Sequence, residues 1–170
     1  SKVTEICKKA FSKCYSLKNI KIGSKVKIIG NGAFSLCFSL EKIIIPSSVT
    51  SIGSYAFNNC SSLITFTIPP SVTTIYNETF SACSSLEEIN IPSGVTIIGE
   101  GAFAECESLK KIKIPRSVTE IGEEAFFRCK SLTQISIPSS VTEIGDRAFE
   151  ECKSLKKIKN NSVIALKNVG

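Results

Sequence analysis

The chain has 170 residues, 42% of them hydrophobic and 21% charged, which suits one domain with its own core and excludes a disordered chain. It has no His, Met or Trp, and its formal net charge is +6; the lack of His removes the commonest general base and metal ligand. No apolar run approaches the roughly 18 residues of a membrane span and no signal peptide is visible, but the sequence opens on Ser1 inside a repeat and reads as a mature or excised fragment, so missing targeting signals say little about location.

One unit recurs along the whole chain. Ile6, Ile29, Ile52, Ile75, Ile98, Ile121 and Ile144 are spaced by 23 residues, as are Phe11 to Phe149, Cys14 to Cys152 and Leu17 to Leu155. From Leu132 the unit reads L-x-x-I-x-I-P-x-S-V-T-x-I-G-x-x-A-F-x-x-C-x-S. In each unit L-x-x-I-x-I is expected to form a strand ended by proline, with Leu132, Ile135 and Ile137 inward. S-V-T-x-I is a second short extended piece anchored by Val141 and Ile144, and Gly145 turns the chain. The run "DRAFEECKSL" reads as a short helix or turn, with Ala148, Phe149 and Cys152 on one side. Acidic residues at its start (Glu100, Glu123, Glu124, Asp146) and basic ones near its end (Arg128, Lys130, Lys153) would suit a helix dipole. A unit this small cannot bury its apolar face alone, so the units must stack. At about 4.8 Å per strand, seven of them make a slab about 34 Å long with a parallel sheet on one side.

Departures from the pattern come in three places. The first unit has Cys7 where others have Gly. The fourth copy of the turn, "TTIYNETF", has Tyr76 for Gly and Thr79 for Ala, and is expected to distort or bulge locally. After Lys159 the pattern fails, with Asn160 in place of Ile and Asn161 in place of Pro. The expected division is therefore a solenoid over residues 1–160 and a C-terminal tail or cap over 161–170. No polar cap precedes Val3, so neighbouring sequence or end-to-end contact between chains is expected.

Seven cysteines on a fixed period (Cys14, Cys37, Cys60, Cys83, Cys106, Cys129, Cys152) invite four readings. In a stacked array their Cβ atoms stay about 5 Å apart, too far for an unstrained disulfide. Zinc sites want clustered ligands, and no two cysteines here lie closer than seven residues. A nucleophile needs a nearby base. The reading kept is a buried structural thiol ladder, with each S–H free to serve a neighbouring backbone carbonyl.

The three x positions of L-x-x-I-x-I should point away from the core, onto the open face of the sheet. In order they are Lys18, Asn19, Lys21; Glu41, Lys42, Ile44; Ile64, Thr65, Thr67; Glu87, Glu88, Asn90; Lys110, Lys111, Lys113; Thr133, Gln134, Ser136; and Lys156, Lys157, Lys159. These nine lysines and three glutamates account for the whole net charge of +6. The face therefore suits an acidic partner: an acidic protein segment, a sulfated glycan or an anionic cell surface. The plainer alternative is that lysines only keep the sheet solvated, with Glu87 and Glu88 pairing across strands to the group Lys110, Lys111 and Lys113. Ile44, Ile64, Thr65 and Thr67 form a neutral, partly apolar middle that suits protein contact. Nucleic acid fits poorly, because the face has neither an aromatic platform nor Arg. N-x-S/T triplets at Asn59, Asn77 and Asn160 are a weak glycosylation signal.

The motif S-V-T-x-I-G-x-x-A-F-x-x-C-x-S-L, nearly whole in the repeats ending at Cys106, Cys129 and Cys152, closely resembles the BspA-like, or treponemal-type, leucine-rich repeat family over about residues 1–160. Its period falls in the range of about 20–29 residues for such repeats. The resemblance implies a right-handed solenoid of about seven units, with a parallel sheet on the concave face and short helical turns opposite. It also implies a cell-surface or secreted protein that adheres to host matrix or to other cells. The function expected is non-catalytic binding of protein or anionic glycan by the sheet face, with no enzyme activity, cofactor, metal or membrane insertion. The alternative is a structural spacer or end-to-end assembly module.

Overall fold

The computed structural model describes residues 2–163. The chain winds as a parallel β-solenoid with two strand ladders. The first holds Asn19–Lys21, Lys42–Ile44, Thr65–Thr67, Glu88–Asn90, Gln134–Ile137 and Lys157–Asn160; in the unit between the last two pairs, Lys111 alone bridges Glu88 and Gln134. The second holds the two-residue strands Glu5–Ile6, Ile28–Ile29, Ser51–Ile52, Thr74–Ile75, Ile97–Ile98, Glu120–Ile121 and Glu143–Ile144. Partners are equivalent residues of successive units, as in Asn19↔Lys42, Gln134↔Lys157 and Ile98↔Ile121. The β-branched Ile and Thr suit these strands. In five units a proline (Pro46, Pro69, Pro92, Pro115, Pro138) follows the first-ladder segment, and its carbonyl accepts the amide of the Val three residues on, as from Val118 to Pro115 at 3.1 Å, bending the chain toward the second ladder.

The core lies between the ladders and the turns. Leu40, Leu63, Leu86, Leu109 and Leu132 are fully buried, as are Phe34, Phe57, Phe103 and Phe126. The phenylalanines form a spine from Phe11 to Phe149, with neighbouring centroids 5.2–5.8 Å apart and planes within 4–12° of parallel. Each buried ring is worth about 1.5–3 kcal/mol relative to exposure, and each stacks on the next copy of itself.

The described residues contain no helix, which corrects the expected helical turns. Amides in the A-F-x-x-C stretch alternate between two destinations. Those of Gly101, Phe103 and Glu105 donate to Glu123, Ala125 and Phe127 of the next unit at 2.7–2.8 Å, whereas Ala102, Ala104 and Cys106 donate three residues back. This path needs two left-handed residues per turn, as at Glu124 (φ 52) and Arg128 (φ 56). Each such non-glycine residue costs about 1–2 kcal/mol. The forward bonds offset that cost, because a helix would aim its amides along its own axis and offer the neighbouring unit nothing. The charges in the turns therefore serve no helix dipole. They pair between units: Lys130 with Glu107 at 2.6 Å, Arg128 with Glu151 at 3.3 Å, and Arg147 with Glu124. Such exposed pairs contribute about 0–1 kcal/mol each.

Six cysteines, Cys37 to Cys152, are buried, and each thiol donates to the carbonyl of the Phe in the preceding unit, as from Cys106 to Phe80 at 3.2 Å. That carbonyl also accepts the amide of the Cys in its own unit, as from Cys83 to Phe80 at 3.2 Å. A small residue that can still donate is thus required at this corner. Cys14 departs from the expected ladder: it is exposed, as is Cys7, because no earlier unit covers it among the described residues. All eight thiols are free.

The joint between the Leu40 and Leu63 units differs from the rest. Elsewhere the second ladder is reinforced by bonds such as Thr96 N–H to Thr73 at 2.9 Å and Gly99 N–H to Ile75 at 2.7 Å; among the described residues, the amides of Thr73 and Tyr76 make no equivalent bond, and neither ladder pairs strands across this joint. On the sheet side, among the described residues, Ile64 N–H to Glu41 at 3.4 Å crosses it, together with Ser62 N–H to Phe38 at 3.2 Å at the corner before the strand. Three substitutions meet here. Phe66 replaces the usual strand Ile and wedges edge-on between Phe57 and Phe80, 4.8 Å from each, where the spine is widest at 5.8 Å. Tyr76 replaces a Gly whose counterparts approach the previous unit closely: a Cβ on Gly122 would lie 2.5 Å from the Glu100 nitrogen. Thr79 replaces Ala, and its buried hydroxyl donates to the Tyr76 carbonyl at 2.8 Å. The turn itself does not bulge, as expected of it, because Tyr55, Phe57 and Asn59 keep their forward bonds at 2.8–3.0 Å. The strain appears in the strands instead.

The C-terminal strand continues through Asn160, which sits opposite Ile137, and Asn161 reaches the Ile137 carbonyl by its amide at 3.0 Å and its side chain at 3.2 Å. The ladder therefore extends one residue into the expected tail, of which 164–170 lie outside the described residues.

Two measurements check this account. Amide hydrogen exchange should show Thr73 and Tyr76 protected at least about tenfold less than Thr96 and Gly99, since an amide without a ladder bond opens locally; uniform protection along the second ladder would contradict the weak joint. Native alkylation should label Cys7 and Cys14 and spare the other six. Burial raises the Cys37 and Cys152 thiols from about 9 to about 11, and raises the four between them further in the same direction. The folded state then binds more protons than the unfolded state above pH 9. Stability should be level below about pH 9 and fall progressively as pH rises to 11; a chain equally stable at pH 11 would contradict it.

Candidate binding face

Alternation along each first-ladder strand turns Ile20, Ile43, Phe66, Ile89, Ile112, Ile135 and Ile158 inward and the residues flanking them outward. All twenty-one outward positions read from the sequence are exposed. Register aligns them in rows. One runs Asn19, Lys42, Thr65, Glu88, Lys111, Gln134, Lys157, and the next runs Lys21, Ile44, Thr67, Asn90, Lys113, Ser136, Lys159. Lys18, Glu41, Ile64, Glu87, Lys110, Thr133 and Lys156 make the third.

The face has three zones. The first carries Lys18, Lys21 and Lys42 beside a hollow of about 440 Å³ that reaches Ile44 and Pro46. The middle holds Ile44 and Ile64, exposed at 70% and 48%, with Thr65 and Thr67. Ile44 and Ile64 stand on opposite sides of the weak joint. A hollow of about 470 Å³ spans Thr65, Thr67, Glu88, Asn90, Lys111 and Lys113. The third zone carries Lys110, Lys111, Lys113, Lys156, Lys157 and Lys159 around Thr133, Gln134 and Ser136. Among the described residues, cross-strand pairing on this face joins Lys110 to Glu87 at 2.8 Å.

Two surface features escaped the sequence reading. Tyr15 and Phe38 stack at 5.3 Å on the turn side while exposed at 50% and 41%; their signal was an aromatic directly after the ladder Cys in only the first two units. The first unit's end carries an apolar hollow of about 370 Å³ lined by Val3, Ile6, Phe11, Ile20, Ile22 and Val26, with Cys7 beside it. Among the described residues, no cluster of Cys, Asp or Glu is arranged to hold a metal, and no helix is long and apolar enough to cross a membrane.

Comparison with known proteins agrees with this architecture. The chain is similar to a leucine-rich repeat protein from Bacteroides ovatus at 30% identity and a TM-score of 0.84, over 95% of this chain and 48% of that one; it thus spans about half of that protein. It matches the T. pallidum leucine-rich repeat protein at 34% identity and a TM-score of 0.86, over 91% of this chain and 72% of that one. A leucine-rich cell surface protein of Faecalibacterium prausnitzii is similar at 27% identity and a TM-score of 0.53, over 94% and 64% of the two chains. No curated protein matches. Six copies of the BspA type leucine rich repeat region are recognised, over residues 1–110 and 73–168, and with the 23-residue ladder they establish that the chain belongs to the BspA-type leucine-rich repeat family.

Proposed function

We propose that the chain is a non-catalytic binding module of a cell-surface or secreted protein, which engages a protein partner with its sheet face in the manner of an adhesin. The observation that carries this reading is the pair Ile44 and Ile64. The fold buries its Leu, Val and Phe rows almost completely, yet leaves these two isoleucines at 70% and 48% exposure on an otherwise polar sheet. They stand in neighbouring units, Ile44 in the row of Thr67 and Ile64 in the row of Glu41, and exposed apolar side chains set among polar ones are what a protein contact draws on. Thr65 and Thr67 beside them supply hydroxyls, and Lys42 and Glu88 supply a charged rim. The cell-surface description of the F. prausnitzii relative supports the proposed location.

The double substitution Ile44→Glu/Ile64→Glu should weaken binding to an immobilised extracellular-matrix extract by at least about tenfold, or about 1.4 kcal/mol, as measured by surface plasmon resonance. Ile28→Glu, at an exposed isoleucine of the second ladder, should leave binding within about twofold. Equal loss in both variants, or no loss in the double variant, would overturn the assignment.

A further inference from the structure

The last three units treat their charges in two opposite ways. On the turn side, Arg128, Lys130, Arg147 and Lys153 each have a carboxylate within 3.8 Å. On the sheet face, of the six lysines in the same units, Lys110 alone has an ion-pair partner among the described residues. Lys111, Lys113, Lys156, Lys157 and Lys159 stand exposed and uncompensated. Solubility does not require this, because the turns stay charged while pairing their ions. Like charges brought together on a rigid sheet raise the local potential.

Their placement forms a trough. In register, Lys111, Gln134 and Lys157 lie side by side, as do Ser136 and Lys159. Lys111 and Lys113 wall one side of a hollow of about 290 Å³, Lys157 and Lys159 wall the other, and Gln134 and Ser136 lie between. The two lysine walls are two strands apart, about 9.6 Å at ordinary strand spacing. Gln134 and Ser136 give the floor an amide and a hydroxyl and no charge, and Thr133 is the exposed neighbour of Gln134 on the same face. Glu87 and Glu88 close the trough toward the middle of the face.

The chemistry narrows the ligand. Six lysines and no arginine make point charges rather than bidentate forks, so charge density matters more than the planar shape of one anion. The trough has no aromatic side chain in its lining, and its two isoleucines, Ile112 and Ile135, are buried to 8% and 3% exposure. It therefore offers no anchor for a peptide, whose ordering entropy exposed ion pairs alone do not offset, and no platform for a nucleobase. A linear polymer of stiff sugar rings brings closely spaced anions already ordered and gains by releasing its counterions. We propose that the sheet face over Lys110–Lys113, Thr133–Ser136 and Lys156–Lys159 is a binding site for a linear sulfated glycan, separate from the Ile44–Ile64 contact.

The test uses heparin as the sulfated probe, by titration calorimetry on the whole chain. Binding should be measurable at 50 mM salt and weaken by roughly tenfold or more at 200 mM. Lys111→Gln/Lys113→Gln and Lys157→Gln/Lys159→Gln should each weaken it by about tenfold. Lys25→Gln/Lys27→Gln, which removes the same charge elsewhere, should change it by less than about twofold, and unchanged circular dichroism should verify folding. Ile44→Glu/Ile64→Glu should leave heparin binding intact, so that loss of the protein-partner reading and loss of this one are told apart. No binding at 50 mM salt, equal loss in the Lys25/Lys27 control, loss in the isoleucine variant, or competition by polyglutamate or single-stranded DNA as strong as by heparin itself would each overturn the proposal.

Discussion

Every second amide of the A-F-x-x-C turn donates to the next unit instead of its own, and the architecture depends on that choice. A 23-residue unit has too little chain to satisfy its backbone and bury its apolar side chains at once. Sending Phe103 N–H to Ala125 and Phe126 N–H to Ala148 fixes the translation from one unit to the next at one hydrogen-bond spacing. The remaining rows follow from it. The Phe rings meet as a near-parallel spine, the thiols reach the Phe carbonyls behind them, and the strands on both other sides come into register. The cost is paired left-handed residues such as Glu124 and Arg128, so the turns hold an ordered strain that only a neighbouring copy relieves.

This division of labour explains how the chain bears its exceptions and leaves a surface unused. At the joint between the Leu40 and Leu63 units, Phe66 and Tyr76 are too large for strand contact, yet the forward bonds of Tyr55, Phe57 and Asn59 keep the units stacked. The strand ladders can therefore loosen without the solenoid coming apart. The outward side chains of the sheet contribute little to stacking beyond the Lys110–Glu87 pair. Their identities are free to vary from unit to unit, from lysine triads to Ile64–Thr65–Thr67, while the inward rows scarcely change. A scaffold fixed by its turns and core, with a sheet whose exterior is open to variation, has the physical form of a binding module.

Much of this was legible in the sequence. The period placed every buried row, and alternation put all twenty-one outward residues on the exposed face. The local path of the turn was not legible. Ala148, Phe149 and Cys152 have the spacing of a helical face, but a turn that reverses through two left-handed residues places them inward equally well. Glu124 and Arg128 carry no compositional mark of that conformation, which glycine or asparagine would have supplied. Tyr76 and Thr79 flagged the weak joint, although the effect falls on the strands and not on the turn. Phe66 passed unnoticed because one apolar residue had replaced another, and only its volume matters. Cys14 fits the ladder by spacing, but among the described residues no unit supplies the carbonyl and side chains that cover the other six.

The forward amide ladder is accessible to a direct measurement. Through-hydrogen-bond scalar couplings in isotopically labelled protein should connect the Phe103 nitrogen to the Ala125 carbonyl carbon and the Phe126 nitrogen to that of Ala148, one unit ahead in both cases. Coupling of the same nitrogens to carbonyls four residues back, at Gly99 and Gly122, would mean that the turns are helices and that, on the turn side, the units are held together by side chains alone.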